Sequence, residues 1–163
     1  MTIDHVLAAL QDMRFASAIR EGTSLFPWIE SLHVLAIVTV VGTISIVDLR
    51  LLGAGAHVKS HHRLMAQLLP ITWTTFAVAA TSGFLLFSSN AVKYAANGPF
   101  RVKMVLLLGA GANMLVFHLL THRHMAQWDE GKAPPMTKFA GAASLTVWVA
   151  VIAAARWIGF TLI

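Results

Sequence analysis

Four long stretches of this 163-residue chain contain no aspartate, glutamate, lysine or arginine. They cover residues 31–47, 64–92, 104–122 and 139–155, and each has at least 17 residues. A helix that crosses a bilayer needs about 20 mostly apolar residues. A water-soluble bundle would instead carry a charged stripe along each helix. The pattern therefore predicts four transmembrane helices in one membrane domain.

The predicted architecture is an all-α, integral membrane four-helix bundle with up-down-up-down topology, because short connections make neighbouring helices antiparallel. The transmembrane helices are expected over residues 27–52, 61–90, 100–123 and 137–160. Residues 2–20 are predicted to form an amphipathic helix in the membrane interface, since apolar residues recur there at helical spacing.

Composition excludes several classes of function. The net charge of +5 comes from basic residues near the predicted helix ends, where they anchor to lipid headgroups, so no nucleic-acid partner is expected. The chain has no cysteine, which rules out disulfides, thiolate metal sites and covalent c-type haem. The connections after the first and third helices are slightly more basic, which places the N-terminus on the periplasmic side.

His33 is the strongest candidate for a functional residue, because it is the only ionisable side chain in the stretch 31–47. An ionisable group inside a membrane helix by default faces the bundle interior and a functional site. Glu30 lies one turn away on the same helix face, and Lys103 lies at a comparable depth on the third helix. His33 could ligate haem iron or another metal. Alternatively, it is only hydrogen-bonded to a carbonyl or to Glu30, and Lys103 reaches outward.

A second group of histidines lies toward the opposite membrane surface. His118 and His122 are four residues apart on one helix face, and His57, His61, His62 and His124 are expected nearby. Such pairs could bind zinc or copper, although histidines in loops are often merely solvated. His118 lies 15 residues beyond Lys103, or about 22 Å along a helix, so His33 and His118 cannot share one haem.

Asp48 and Arg50 form a third polar group, at the end of the first predicted transmembrane helix. Arg50 could anchor to lipid phosphate. Asp48 could instead pair with a basic group from another helix and fix the bundle. A structural role is favoured over catalysis.

Several motifs carry a resemblance to known proteins: Pro27-Trp28-Ile29-Glu30-Ser31-Leu32-His33, Asp48-Leu49-Arg50-Leu51-Leu52-Gly53, Leu69-Pro70, Gly83, Lys103, Asn113 and His118. Over residues 25–120 the chain resembles an uncharacterised family of small bacterial four-helix membrane proteins. The resemblance implies this architecture and a multi-pass location in the bacterial inner membrane, and it implies no activity.

A more distant resemblance rests on Leu32-His33 and on Gly98-Pro99-Phe100-Arg101-Val102-Lys103. In character these segments are similar to the first and third helices of the haem-b type of bacterial membrane protoporphyrinogen oxidase. The resemblance implies that His33 and Lys103 are the pair associated with haem. Arg101 stands where that family has a histidine.

We therefore expect a membrane protein that binds haem b and acts in electron transfer or as an oxidoreductase. His33 would ligate the iron, Glu30 would orient the imidazole, and Lys103 would be the opposing ligand or contact a propionate. The alternative is a cofactor-free accessory or structural subunit of a larger respiratory or photosynthetic complex. A homo-oligomer is also compatible with the small residues that line several helices. A metal or proton transporter that uses the His118 side is a third hypothesis.

Overall fold

The computed structural model describes residues 3–54, 61–120 and 135–162, with side chains outside residues 61–65, 116–120 and 135–136. Over these residues the chain is all-α, which confirms the predicted class. The helices in the described ranges are α1 (Ile3–Gln11), α2 (Arg14–Glu21), α3 (Leu25–Leu51), α4 (His61–Ser89), α5 (Ala91–Ala96), α6 (Gly98–Leu120) and α7 (Pro135–Thr161).

The long helices coincide with the charge-free stretches of the sequence. Three of them contain segments long and apolar enough to cross a membrane, namely Leu25–Leu51, Ala66–Ser89 and Thr137–Thr161. The fourth long helix, α6, has 23 residues and carries Arg101 and Lys103 near its start. It is not among the candidate spans found in the described residues. The structure therefore supports a membrane protein with three candidate spans.

The N-terminal segment forms two helices instead of one amphipathic helix over residues 2–20. The chain turns at Asp12 and Met13, and the backbone of Met13 is extended, with φ −64° and ψ 144°. This turn allows Arg20 to reach back to the end of α1. Its Nη1 donates to the carbonyl oxygens of Gln11 and Ser89, at 3.0 and 3.1 Å. Arg20 thus satisfies carbonyls at the C-terminal ends of α1 and α4, which have no partner within their own helices.

The junction between α4 and α5 is the most completely buried part of the described structure. Ala16 of α2, Ser88 and Ser89 of α4 and Ala91 of α5 each have 0% exposure. The Gln11 side chain also accepts a hydrogen bond from the backbone N–H of Val92 at 3.3 Å. The N-terminal helices therefore fix the end of the molecule at which α4 turns into α5.

The long helices pack in the order α4, α3, α7, α6. Val40 of α3, Ala110 of α6 and Trp148 and Val151 of α7 form the apolar core. Between α3 and α4, Thr72 donates a hydrogen bond to Thr43 at 2.8 Å. After α3 the chain turns at Gly53, whose φ of 100° is a conformation that glycine adopts without strain.

Candidate functional site

His33 lies about two turns inside α3 and points toward α4. Its side chain is half-buried, and its Nδ1 lies 3.0 Å from the hydroxyl oxygen of Ser82. The backbone of Ala79, one turn before Gly83 on α4, also interacts with the ring. Packing between α3 and α4 therefore positions the imidazole away from the α3 axis and against one short segment of α4.

The proton of the Ser82 hydroxyl identifies the tautomer of His33. Ser82 Oγ lies 2.6 Å from the carbonyl oxygen of Val78, and a carbonyl can only accept. The hydroxyl proton therefore points at Val78, and the serine oxygen is left to accept a hydrogen bond from His33. It follows that Nδ1 carries the ring proton and that Nε2 keeps its lone pair, as an imidazole that ligates a metal requires.

Gly83 allows the ring to lie this close to α4. A Cβ atom at position 83 would lie 2.8 Å from Cε1 of His33 and 3.4 Å from Nδ1. A separation of 2.8 Å is shorter than a van der Waals contact between carbon atoms. Glycine at this position is therefore needed for the His33–Ser82 hydrogen bond.

Lys103 of α6 approaches His33 from another helix. Its charge acts on the His33 ring. Its side chain is half-buried, and its Nζ lies 5.9 Å from the centre of the Phe100 ring, within the range of a cation–π interaction. The ammonium group is thus held near the imidazole by the start of α6.

Within the described residues, no Cα atom of α6 comes within 8 Å of a Cα atom of α3 or α4. In the part of the chain that the structure describes, His33 and Lys103 therefore extend from helices whose backbones do not approach each other closely. A separate open cavity of about 250 Å³ lies at the α5 end, lined by Lys93, Ala96, Asn97, Thr161 and Leu162. None of the site residues lines that cavity.

Aromatic rings close the α5 end of the site. Phe87 of α4 stacks on Phe100 of α6 with ring centres 5.4 Å apart, and Tyr94 of α5 lies 5.6 Å from Phe100. Glu30 is exposed at this end, and its charge acts on Tyr94. Nδ1 of His33 lies 3.0 Å from Ser82 Oγ, and Glu30 lies one turn nearer the start of α3.

Burial raises the pKa of Tyr94 above its ordinary value of 10.0, and the negative charge of Glu30 raises it further. Because the folded state prefers the neutral phenol, this contribution to stability is complete below pH 10 and is lost as the pH rises through the raised pKa. Tyr94 is the only tyrosine, so absorbance of tyrosinate reports on it alone. We expect its titration midpoint to be higher in the folded than in the denatured protein.

The Glu30→Gln variant should lower the midpoint of Tyr94 in the folded protein. Glu21→Gln is the matched control, since Glu21 is an exposed acid of the neighbouring helix α2. Equal midpoints in folded and denatured protein would contradict the arrangement of Tyr94 and Glu30.

The structure brings together His33 and Lys103 and adds two residues that the sequence did not predict. Ser82 and Tyr94 lie 49 and 61 positions from His33, and no spacing rule connects them to it. Among the described residues, no three His, Cys, Asp or Glu side chains are grouped as they would be at a zinc or copper site. The second histidine group lies outside the described side chains, since those of His118 and His122, like those of His57, His61, His62 and His124, are not described.

Comparison with known proteins adds one match. A family model described as "Family of unknown function (DUF6644)" matches residues 21–161, which include all four long helices. No curated protein and no solved structure matches the chain.

Proposed function

The chain belongs to the DUF6644 family, whose function is unknown, and from the geometry of its own residues we propose that it is a membrane protein that binds haem b. His33 ligates the iron in this proposal, and the protein acts in electron transfer or as an oxidoreductase. When bound, haem b supplies one-electron redox chemistry at its iron.

The hydrogen bond between Nδ1 of His33 and Ser82 carries the proposal. It orients the imidazole and leaves the lone pair of Nε2 for a metal, as the partner of a ligating histidine does. Porphyrin nitrogens supply four of the ligands of haem iron, so a single imidazole is enough. A haem site therefore does not require a cluster of metal-ligating side chains. This is consistent with the described residues, among which no three His, Cys, Asp or Glu side chains are grouped.

Lys103 has one of two roles in this proposal. As an ammonium group beside the ring, it would pair with a haem propionate. As a neutral amine, it would be a second protein ligand of the iron. A Lys103→Gln variant separates these roles, because loss of a propionate contact weakens binding and leaves the haem absorption maximum in place, whereas loss of a ligand shifts it.

We further propose that α6 crosses the membrane with α3, α4 and α7 in an up-down-up-down bundle in the bacterial inner membrane. The distribution of basic residues supports a periplasmic N-terminus. The exposed apolar side chains of Ile3 and Val6, at 78% and 52%, support a position of α1 in the interface beside lipid.

Titration of haem into the detergent-purified protein tests the binding site. We expect the wild type to bind one haem per chain and His33→Ala to bind it about 100-fold more weakly or not at all. Ser82→Ala should weaken binding by about 10–100-fold, since it removes the partner of the imidazole. His5→Ala is the matched control, because His5 is exposed on α1 and should not affect binding.

A wild-type protein that binds no haem would overturn this proposal. Co-migration of that colourless protein with a large assembly on native gels would then support the alternative, a cofactor-free accessory subunit of a larger respiratory or photosynthetic complex.

A further inference from the structure

Asp48 is a buried acid near the C-terminal end of α3, whereas His33 lies near the N-terminal end of the same helix. Asp48 is 5% exposed and lies against α7, where Gly141 and Ser144 face it. Gly141 contacts the α3 backbone, since a Cβ atom there would lie 3.0 Å from the carbonyl oxygen of Asp48. Ser144, which is 9% exposed, interacts with the carboxyl group through its side chain.

One oxygen of this carboxyl group is without a hydrogen-bond partner among the described residues. Asp48 Oδ2 is buried and makes no hydrogen bond in the part of the chain that the structure describes. A buried carboxylate oxygen without a donor or a cation is strongly unfavourable, and such a group becomes neutral unless a cation is supplied. Since Asp48 is inside a candidate membrane span, this cost is not relieved by bulk water.

The charged groups that the structure describes around Asp48 do not supply a cation to Oδ2. Arg50 is two residues away on α3, is buried and has interactions of its own, and none of them is a hydrogen bond to Oδ2. On α7 the charged residue nearest in sequence to Ser144 is Lys138, which is exposed. The described side chains of α4, residues 66–89, include no titratable group.

We propose that Asp48 and Ser144 form a proton-binding site between α3 and α7, in which Asp48 carries an exchangeable proton on Oδ2. A proton fits better than a metal ion, because hard cations take six or more oxygen ligands and the described side chains offer only a carboxyl group and a hydroxyl group. Ser144 then stabilises the remaining oxygen. The site is independent of haem binding and lies 15 residues, or about 22 Å, from His33 along α3.

Infrared spectroscopy of the full-length protein in detergent, recorded from pH 8 down to pH 5, tests this site. We expect a carbonyl-stretching band of a protonated carboxylic acid that shifts on transfer to D₂O, disappears in Asp48→Asn and is unaffected in Asp12→Asn, which changes an exposed acid. Ser144→Ala should keep the band but shift its frequency. This second variant tests the proposal even if Asp48→Asn does not fold.

Three outcomes would overturn the proposal. Wild-type protein without the band throughout the range from pH 8 to pH 5 has an ionised Asp48. A band that persists in Asp48→Asn belongs to another acid. If sodium chloride removes the band and potassium chloride at the same concentration does not, the site binds sodium instead of a proton.

Discussion

Replacing Gly83 with alanine should destabilise the protein by about 1–3 kcal/mol, because the new methyl group overlaps the His33 ring. The methyl carbon would lie 2.8 Å from Cε1, and the ring cannot move away without losing its hydrogen bond to Ser82. The variant should also bind haem more weakly, since the imidazole loses the partner that orients it. The free energy of unfolding can be measured by titration with denaturing detergent.

A double-mutant cycle identifies the origin of this cost. In a His33→Ala background the Gly83→Ala substitution should be neutral or should stabilise α4 by up to about 1 kcal/mol, because alanine is the better helix former. Gly42→Ala on α3 is the control, since no atom lies within 4 Å of a Cβ placed there. The same cost of Gly83→Ala with and without His33 would show that the ring does not occupy this position.

Replacing Gly141 with leucine should separate α3 from α7 at a cost of at least about 3 kcal/mol, which is the upper end of the range for overpacking. A Cβ atom at position 141 meets the carbonyl oxygen of Asp48 at 3.0 Å and Cβ of Leu51 at 3.2 Å. Neither atom can rotate away, because one belongs to the backbone and the other is attached directly to it. The whole of α7 must therefore move outward.

Gly159→Leu, on the same helix, is the matched control for Gly141→Leu. No atom lies within 4 Å of a Cβ at position 159, so this substitution should change stability by no more than about 1 kcal/mol. The two variants add the same side chain to the same helix, but only the leucine at position 141 meets a neighbouring helix. Equal melting temperatures would contradict the packing of α7 on α3.

The long helices could be predicted from the sequence because they depend on local quantities. Lipid excludes charged side chains, so charge-free stretches mark the helices. The rise of 1.5 Å per residue then places Lys103 at the depth of His33 without knowledge of the packing. For the same reason, the separation between His33 and His118 could be estimated from residue numbers alone.

The partner of His33 could not be predicted, because it depends on the rotation of α4 about its own axis. The sequence of α4 also contains Thr74, Thr75 and Thr81, whose hydroxyl groups donate to carbonyls of their own helix. Ser82 makes the same local bond to Val78 and additionally faces His33. A hydroxyl group that bonds to its own helix does not by itself reveal a contact with α3, so that contact has to be observed.

The break between α1 and α2 illustrates the same limit. The apolar periodicity of residues 3–13 is compatible with one continuous helix, and no proline or glycine interrupts it. The turn at Asp12 and Met13 is stabilised instead by Arg20, which bonds the ends of α1 and α4 together. Since this contact joins residues 69 positions apart, it is a tertiary effect that overrides the local pattern.

Chemical rescue of His33→Gly tests the central claim, that the imidazole of His33 ligates haem iron, most directly. We expect the purified variant to lack the Soret band of the haem-loaded wild type and to recover it, with its shift on reduction, when free imidazole occupies the vacated space. His5→Gly, which removes an exposed imidazole of α1, should keep the band and should not respond to imidazole. A His33→Gly protein that keeps the full wild-type band without added imidazole would contradict the claim.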